Sequence, residues 1–241
     1  MRNLVFTSAG ENTTFYKLWT WPDAAPQNFD IFVIYYGDSE ENYEKYKGCV
    51  DYIEKRKGSK FQNFHWLWTQ RPELFRNYDR FFILDDDILI TCHDINRMFE
   101  LSERFEICAP SFRKGSIISH KITKQKQGCE FEYTNFVEVN TPLFSRNALE
   151  NLMRAFDPIL IGWGIDYLYI WANGMEKKTS YAILHSISCI NPHKKQKGGA
   201  RELLKIANVK KRRKIWEAYA ARIGCPKEFD KIVWSRPRSF F

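Results

Sequence analysis

The run Phe81-Phe82-Ile83-Leu84-Asp85-Asp86-Asp87 constrains this chain more than any other stretch. Four consecutive apolar side chains suit a strand buried on both faces of a sheet. Three adjacent carboxylates repel one another, and a buried strand end tolerates them best with a cation present. In open α/β sheets, ligands sit beyond the carboxyl ends of the strands. Side-chain alternation along an extended strand places Asp85 and Asp87 on one side. Their oxygens suit a hard divalent ion, Mn2+ or Mg2+, that keeps positions open for phosphate oxygens. The plainer alternative is an acidic turn in solvent.

The rest of the chain supplies partners for such a strand. Residues 4–7 read as a first strand closed by Ser8-Ala9-Gly10, and residues 29–36 as a second closed by Gly37-Asp38. Tyr43, Tyr46, Val50 and Ile53 fall at helical spacing across residues 42–56. Residues 61–68 fit a strand or a short helix, and Pro72 opens a helix to Arg76. A helix over 94–104 and a strand over 107–110 follow. Residues 115–128 are polar and aperiodic, which predicts a long loop of the kind that binds ligands or closes over them. Strands are expected at 136–139 and 181–190. Between them, Ser145 reads as the N-cap of a helix, and Gly162-Trp163-Gly164 as a tight turn before another helix over 166–172. Beyond Arg201 the chain reads as helical to about Arg222, and residues 226–241 as irregular. Alternating strands and helices predict an α/β domain with a mainly parallel central sheet and helices on both faces.

Charge argues against a simple nucleic-acid binder. The chain of 241 residues carries +8. Residues 193–214 hold ten Lys/Arg and one Glu, a net of +9, which leaves about −1 for the remainder. A DNA or RNA reader is expected to spread its basic residues over a whole face. The expected division is a catalytic domain at 1–199 and a basic helical C-terminal extension at 200–241. The six cysteines, Cys49, Cys92, Cys108, Cys129, Cys189 and Cys225, are scattered without a C-x-x-C pair, as in a reduced cytosolic protein. The first residues show no secretory signal, and no apolar run approaches the roughly 20 residues of a membrane span. The expected location is cytoplasmic, with a peripheral membrane association considered below.

Asp85-Asp86-Asp87 resembles the D-x-D motif of nucleotide-sugar glycosyltransferases of GT-A fold, and the resemblance extends over roughly residues 3–199. It rests also on Lys60-Phe61-Gln62-Asn63, residues 78–84, Ser119-His120-Lys121-Ile122-Thr123 and Tyr133-Thr134-Asn135-Phe136-Val137-Glu138-Val139. Pro142-Leu143-Phe144-Ser145 and Gly162-Trp163-Gly164-Ile165-Asp166-Tyr167 complete it. The pattern is most similar to a plant and bacterial group described as a domain of unknown function.

The resemblance implies a metal-dependent transfer of a sugar from a nucleotide-diphospho-sugar to a glycan, glycolipid or glycoprotein. Thr7, Ser8, Gly10, Asp38, Lys60 and Asp86 would then serve the donor, with Lys60 offsetting diphosphate charge. Asp85 and Asp87 would hold the ion, completed by a late histidine. His193 stands where the last strand exits; His185 lies inside that strand and reads as a core residue. Asp166 is the candidate base that takes the acceptor hydroxyl's proton, with an N-cap role as its alternative. Glu138, Trp163 and Gly164, together with Ser119 and His120 of the long loop, would face acceptor or sugar. Glu132 and Asn140-Thr141 depart from the pattern and bear on acceptor identity.

Lys210-Lys211-Arg212-Arg213-Lys214 lies between apolar residues and Ile215, Trp216 and Tyr219. Within 201–219 this composition suits an anionic membrane surface, or simply a solvated helix face. Two rival readings remain at this level. One is a metal-dependent phosphoryl-transfer or nuclease-type enzyme. The other is a non-catalytic nucleic-acid module using the basic segment, although the near-neutral body makes a nucleic-acid partner a poor fit.

Overall fold

The computed structural model describes residues 2–20, 26–193 and 202–235. Its centre is one nine-stranded sheet of order β3-β2-β1-β4-β7-β5-β8-β6-β9. The strands are β1 (Asn3–Ala9), β2 (Asp30–Tyr35), β3 (Tyr52–Lys55), β4 (Arg80–Asp85), β5 (Ile107–Phe112), β6 (Phe131–Thr134), β7 (Leu143–Ser145), β8 (Tyr181–Cys189) and β9 (Val233–Ser235).

The sheet is mixed, not mainly parallel. β1 pairs in parallel with β2 and β4, β2 with β3, and β5 with β8. The short β7 runs antiparallel between β4 and β5, and β6 runs antiparallel between β8 and β9. The reversal of β7 shapes the site. Because Phe82 pairs with Leu143 and Arg80 with Ser145, the residues entering β7 lie beside the carboxyl end of β4. Asp85 N–H donates to Asn140 O at 3.0 Å and Ile83 N–H to Pro142 O at 2.9 Å.

Alternation in the central strands sends side chains into two cores. Leu4, Phe6, Phe32, Ile34, Phe81 and Ile83 face one core, with α3 (Lys60–Gln70), α6 (Arg146–Ala155), α7 (Ile165–Asn173) and α9 (Val209–Ile223). Val5, Ile31, Val33, Phe82 and Leu84 face the other, with α1 (Phe15–Leu18), α2 (Glu40–Lys47) and α5 (Cys92–Ser102). The helices α4 (Pro72–Phe75) and α8 (Glu202–Ile206) are short. Ser145 caps α6 as its sequence predicts, accepting from Ala148 N–H.

Four local expectations need correction. The helix expected over 42–56 stops at Lys47, and Ile53 belongs to β3. The helical spacing there was shared by a helix residue and a strand residue on either side of Gly48. The strand expected at 136–139 lies earlier, as β6, and residues 135–142 cross the sheet face as irregular chain. Finally, the tail contributes β9 to the sheet edge. Helix α9 is also separate from α8, with Asn208 as its own N-cap. Residues 194–201 and 236–241, which include part of the expected basic segment and extension, lie outside the described residues.

Candidate active site

Strand β4 ends at Asp85, and Asp86 and Asp87 continue in a turn closed by Ile88 N–H donating to Asp85 O at 3.3 Å. The turn, more than strand alternation, sets the direction of the second and third acids. Asp86 points inward. Its Oδ2 accepts from Gly10 N–H at 3.0 Å, and its carbonyl accepts from Thr13 Oγ1 at 2.8 Å and Thr14 N–H at 3.1 Å. The middle acid therefore ties the loop after β1 to the acidic turn. Burial, with Asp87 and Asp85 beside it, pushes its carboxyl up to about 7, against the Gly10 hydrogen bond. By surface area all three acids, Asp85, Asp86 and Asp87, are half-buried.

The ammonium of Lys60, expected to offset diphosphate charge, lies 2.7 Å from Asp85 Oδ1 and reaches the carbonyls of Val139 at 2.8 Å, Ile83 at 3.2 Å and Asn140 at 3.3 Å. An ammonium has three protons, so these acceptors engage all of them. Burial lowers the Lys60 pKa, while Asp85 and its two neighbours favour the charged form. Lys60 thus fixes Asp85 to the 139–140 chain.

A second pair of acids lies across the 135–142 segment. Glu138 is 4% exposed and Asp166, in the first turn of α7, is 7% exposed. Glu138 accepts from Asn140 Nδ2 at 3.2 Å, lies 3.5 Å from Thr123 Oγ1 and is hydrogen-bonded by Ser119. Burial, then the charge of Asp166, holds its carboxyl up at about 7. Burial raises Asp166 to about 6, opposed by the Tyr167 N–H at 3.1 Å and by Lys231. Burial raises both carboxyls, and the charge of Asp166 adds to the rise at Glu138.

The long loop is brought to this pair. Ser119 and Thr123 reach Glu138, and the His120 ring meets Phe136 edge-on at 4.7 Å. Burial and the nearby Lys231 lower the His120 pKa to about 4. The loop is packed down, with Ile117 N–H on Asn191 O at 2.8 Å and Gln125 N–H on Phe112 O at 2.9 Å.

Other expected residues have different settings. Thr7 Oγ1 donates to Leu84 O at 2.9 Å, joining β1 to β4, and Ser8 Oγ accepts from Asn63 Nδ2 at 3.1 Å. Both residues are buried. Gly10 lies under the Tyr36 ring, where a Cβ would come within 2.5 Å of a ring carbon. Asp38 is exposed and pairs with Lys57 at 2.8 Å. Gly164 is the N-cap of α7 at φ 79°, and a Cβ there would meet the Trp216 indole at 2.0 Å. That glycine makes room for the Trp216 ring of α9. Trp163 is 36% exposed, so it is available for stacking on a sugar face.

His193 is exposed and lies just past β8. Leu89 and Ile190 form an antiparallel bridge, bonded in both directions at 2.9 and 3.0 Å, so the chain leaves toward His193 alongside the segment coming from Asp87. His185 is buried, as its position inside the strand predicts. Its Nδ1 accepts from Lys126 N–H at 3.3 Å, so its Nε2, 3.2 Å from Glu132 Oε2, carries the proton. Lys126 Nζ pairs with the same Glu132 oxygen. Cys129, Glu132 and His185 lie close enough to enclose an ion, and in this structure Glu132 is engaged by both Lys126 and His185. Glu132, unusual in the motif, is explained by this network between the long loop, β6 and β8.

Sequence reasoning missed Glu11. Burial opposes its charge, yet hydrogen bonds from Asn42, Ser39, Tyr35 and Asp38 bring its carboxyl down to about 2. Those donors lie 2.5 to 2.9 Å away, from the end of β2 and the start of α2. Nothing in the Gly10-Glu11-Asn12 context signals this, because every donor is remote in sequence. Lys231, from a tail expected to be irregular, donates to the Tyr167 hydroxyl at 3.0 Å, one residue after Asp166.

No family model matches the chain, and no curated protein matches it in sequence. Among solved structures, an N-terminal fragment of TarS from S. aureus in complex with UDP-GlcNAc superposes with a TM-score of 0.54 at 11% identity, over 92% of this chain and 66% of that one. A mannosyltransferase from Pyrobaculum calidifontis in complex with GDP-Man and Mn2+ gives a TM-score of 0.53 at 10% identity, over 93% and 65%. The chain spans under two thirds of these relatives, and 40% of the longer TarS chain. The fold is that of GT-A-type glycosyltransferases.

Proposed function

We propose that this protein is a metal-dependent glycosyltransferase that moves a hexosyl group from a nucleotide-diphospho-sugar to a hydroxyl of a glycan, glycolipid or glycoprotein. One observation carries the reading: on this fold, the 138–142 chain joins the acidic turn at the end of β4 to buried Glu138, on which both Asp85 and Asp166 act. The solved neighbours bind UDP-GlcNAc or GDP-Man, which supports a donor of that class.

Asp85, Asp87 and His193 would hold Mn2+ or Mg2+. The residues fit: two half-exposed carboxylates supply hard oxygens, and the carboxyl between them is raised by burial first and then by the charges of Asp87 and Asp85, which a cation would offset. When bound, the ion supplies charge for a diphosphate leaving group. Lys60 and Asp86 hold the acidic turn in place, while Gly10, Asp38 and the backbone around Thr7 and Ser8 form the nucleotide side. Asp166 takes the proton of the acceptor hydroxyl as its oxygen bonds to the anomeric carbon. The bond from that carbon to the diphosphate breaks, and the nucleoside diphosphate leaves. Ser119, His120, Glu138 and Trp163 bound the acceptor side, with Gly164 setting the turn that presents Trp163.

The enzyme acts on the cytoplasmic side, with residues 201–219 resting on an anionic membrane surface. Lys210, Lys211 and Lys214 are exposed on α9, beside exposed Leu204 and Val209.

The test is thermal shift with UDP- and GDP-sugars, with and without Mn2+. One nucleotide sugar should stabilise the protein only when Mn2+ is present. Asp87→Ala should abolish that shift, and Asp166→Asn should keep it while stopping transfer. No shift with any donor would reject the assignment.

A further inference from the structure

The long loop carries charge of one sign. Residues 113–128 hold five Lys/Arg and no Asp or Glu. The chain outside the 193–214 segment sums to −1, so taking +5 for the loop leaves −6 for the rest of that body. Lys126 pairs with buried Glu132. Arg113, Lys114, Lys121 and Lys124 are exposed, and among the described residues none of them meets a carboxylate. Elsewhere on the domain Lys55, Lys57, Arg71, Arg146 and Lys177 each pair with an acid. A loop kept polar only for solubility is expected to intersperse both signs.

This loop is fixed beside the buried acids. Lys121 stands between His120, whose ring meets Phe136 at 4.7 Å, and Thr123, whose hydroxyl is 3.5 Å from Glu138. Lys124 follows directly, and its backbone bridges Phe112, so the turn is anchored while both lysines stay exposed. A further cation reaches Phe136 from the tail. The Lys231 ammonium lies 4.7 Å from the Phe136 centroid and donates to the Tyr167 hydroxyl at 3.0 Å. Asn135 holds the backbone on either side of it: Asn135 Nδ2 donates to Asp230 O at 2.8 Å, and Ile232 N–H donates to Asn135 Oδ1 at 2.7 Å. Of the three ammonium protons, the Tyr167 hydroxyl takes one, and it is the one hydrogen-bond acceptor of Lys231 among the described residues. Loop and tail thus bring cations to Phe136, whose ring packs at 5.8 Å on that of Tyr167, next in sequence to Asp166.

We propose that the acceptor is an anionic glycan, bearing carboxylate or phosphate groups, and that Lys121, Lys124 and Lys231 bind it. The inference rests on the glycosyltransferase reading and names its acceptor class. An anionic chain nearing Asp166 is repelled by that carboxylate and by the acidic turn. Cations along its path offset the repulsion and steer the chain in. A neutral glycan has no use for them.

The test is calorimetric binding to the full chain without donor. The probes are oligogalacturonate for carboxylate, phosphomannan oligosaccharide for phosphate, neutral dextran and a single-stranded oligonucleotide. One of the two anionic glycans should bind, should weaken with added salt, and should bind more tightly than the oligonucleotide; dextran should not bind. Lys121→Gln with Lys124→Gln should weaken binding roughly fivefold, the combined size of two exposed ion pairs, and Lys231→Gln should weaken it as well. Lys17→Gln with Lys45→Gln removes the same charge from exposed positions on α1 and α2, and should leave binding unchanged. Equal losses in the two paired variants would reveal a general charge effect and overturn the proposal. Failure of both anionic glycans to bind, dextran binding as tightly, or tighter binding of the oligonucleotide would overturn it too. The Mn2+-dependent donor shift separates the two readings. A donor shift without loop-dependent glycan binding rejects the anionic acceptor alone. Loop-dependent binding without any donor shift rejects the glycosyltransferase assignment and leaves an anionic-glycan site.

Discussion

Glu138 opposes the stability of the chain that contains it. In the unfolded chain its carboxyl ionises near 4.5, whereas burial in the folded chain delays this to about 7. Between those values the folded state binds one more proton than the unfolded state, so stability falls as pH rises. Above about pH 7 the loss is complete, at about 3 kcal/mol by the usual 1.36 kcal/mol per unit. Glu138→Gln should therefore unfold at higher urea than wild type at pH 8, with the difference vanishing near pH 4. A constant difference at both values would assign the effect to packing. Retaining such a residue makes sense where function requires it. The acids themselves were legible as residues: a glutamate inside Phe136-Val137-Glu138-Val139 is conspicuous, and so is an aspartate after Gly-Trp-Gly. Their partners were not. Glu11, Lys60 and Lys231 act through contacts 23 to 95 residues away in sequence, and local patterning does not encode such pairings.

At the scale of elements, the junction between α7 and α9 is the sharpest constraint. Gly164 adopts a left-handed backbone at φ 79°, and the Trp216 ring occupies the space its side chain would need. Trp216 in turn donates to Lys227 O at 2.9 Å and stacks near Tyr167 at 6.5 Å. Gly164→Ala combines backbone strain with a clash against a buried indole, so it should cost about 3 kcal/mol in urea unfolding. Gly164→Ala with Trp216→Leu should cost less than the sum of the two single changes, since the shorter side chain relieves the overlap. Strict additivity would show that the two positions do not compete for this space. The Gly-Trp-Gly turn was readable in sequence, but its reason was not, because the ring that fills it comes 52 residues later. The same holds for β7 and β9. Three-residue strands carry too few side chains for a period-two signal, and only their pairing partners define them.

For the whole molecule, charge and apolar exposure coincide. The buried side of α9 carries Trp216, Tyr219 and Ala220 into the core, so its outward side is fixed. That side presents Lys210, Lys211 and Lys214, while Arg213 is paired with Glu217 and Arg222 with Asp157. Leu204 is 49% exposed, Val209 46% and Ile159 55%, and Ile159 opens onto a groove shared with Ile215, Ala218 and Tyr219. Large aliphatic side chains ringed by lysines suit insertion beneath a layer of anionic headgroups, at about 1 kcal/mol per basic residue near such a surface. Oligonucleotide binding would need the lysines alone. The two partners therefore separate by variant. Lys210→Glu, Lys211→Glu and Lys214→Glu together should abolish sedimentation with vesicles containing phosphatidylserine. Leu204→Asp with Val209→Asp, which leaves every cation in place, should weaken it severalfold. Vesicles of phosphatidylcholine alone should bind neither variant nor wild type appreciably. If the aspartate pair binds anionic vesicles as well as wild type does, the aliphatic residues take no part and the surface is a general polyanion site. In that event the membrane loses its claim as the place where the acceptor is met.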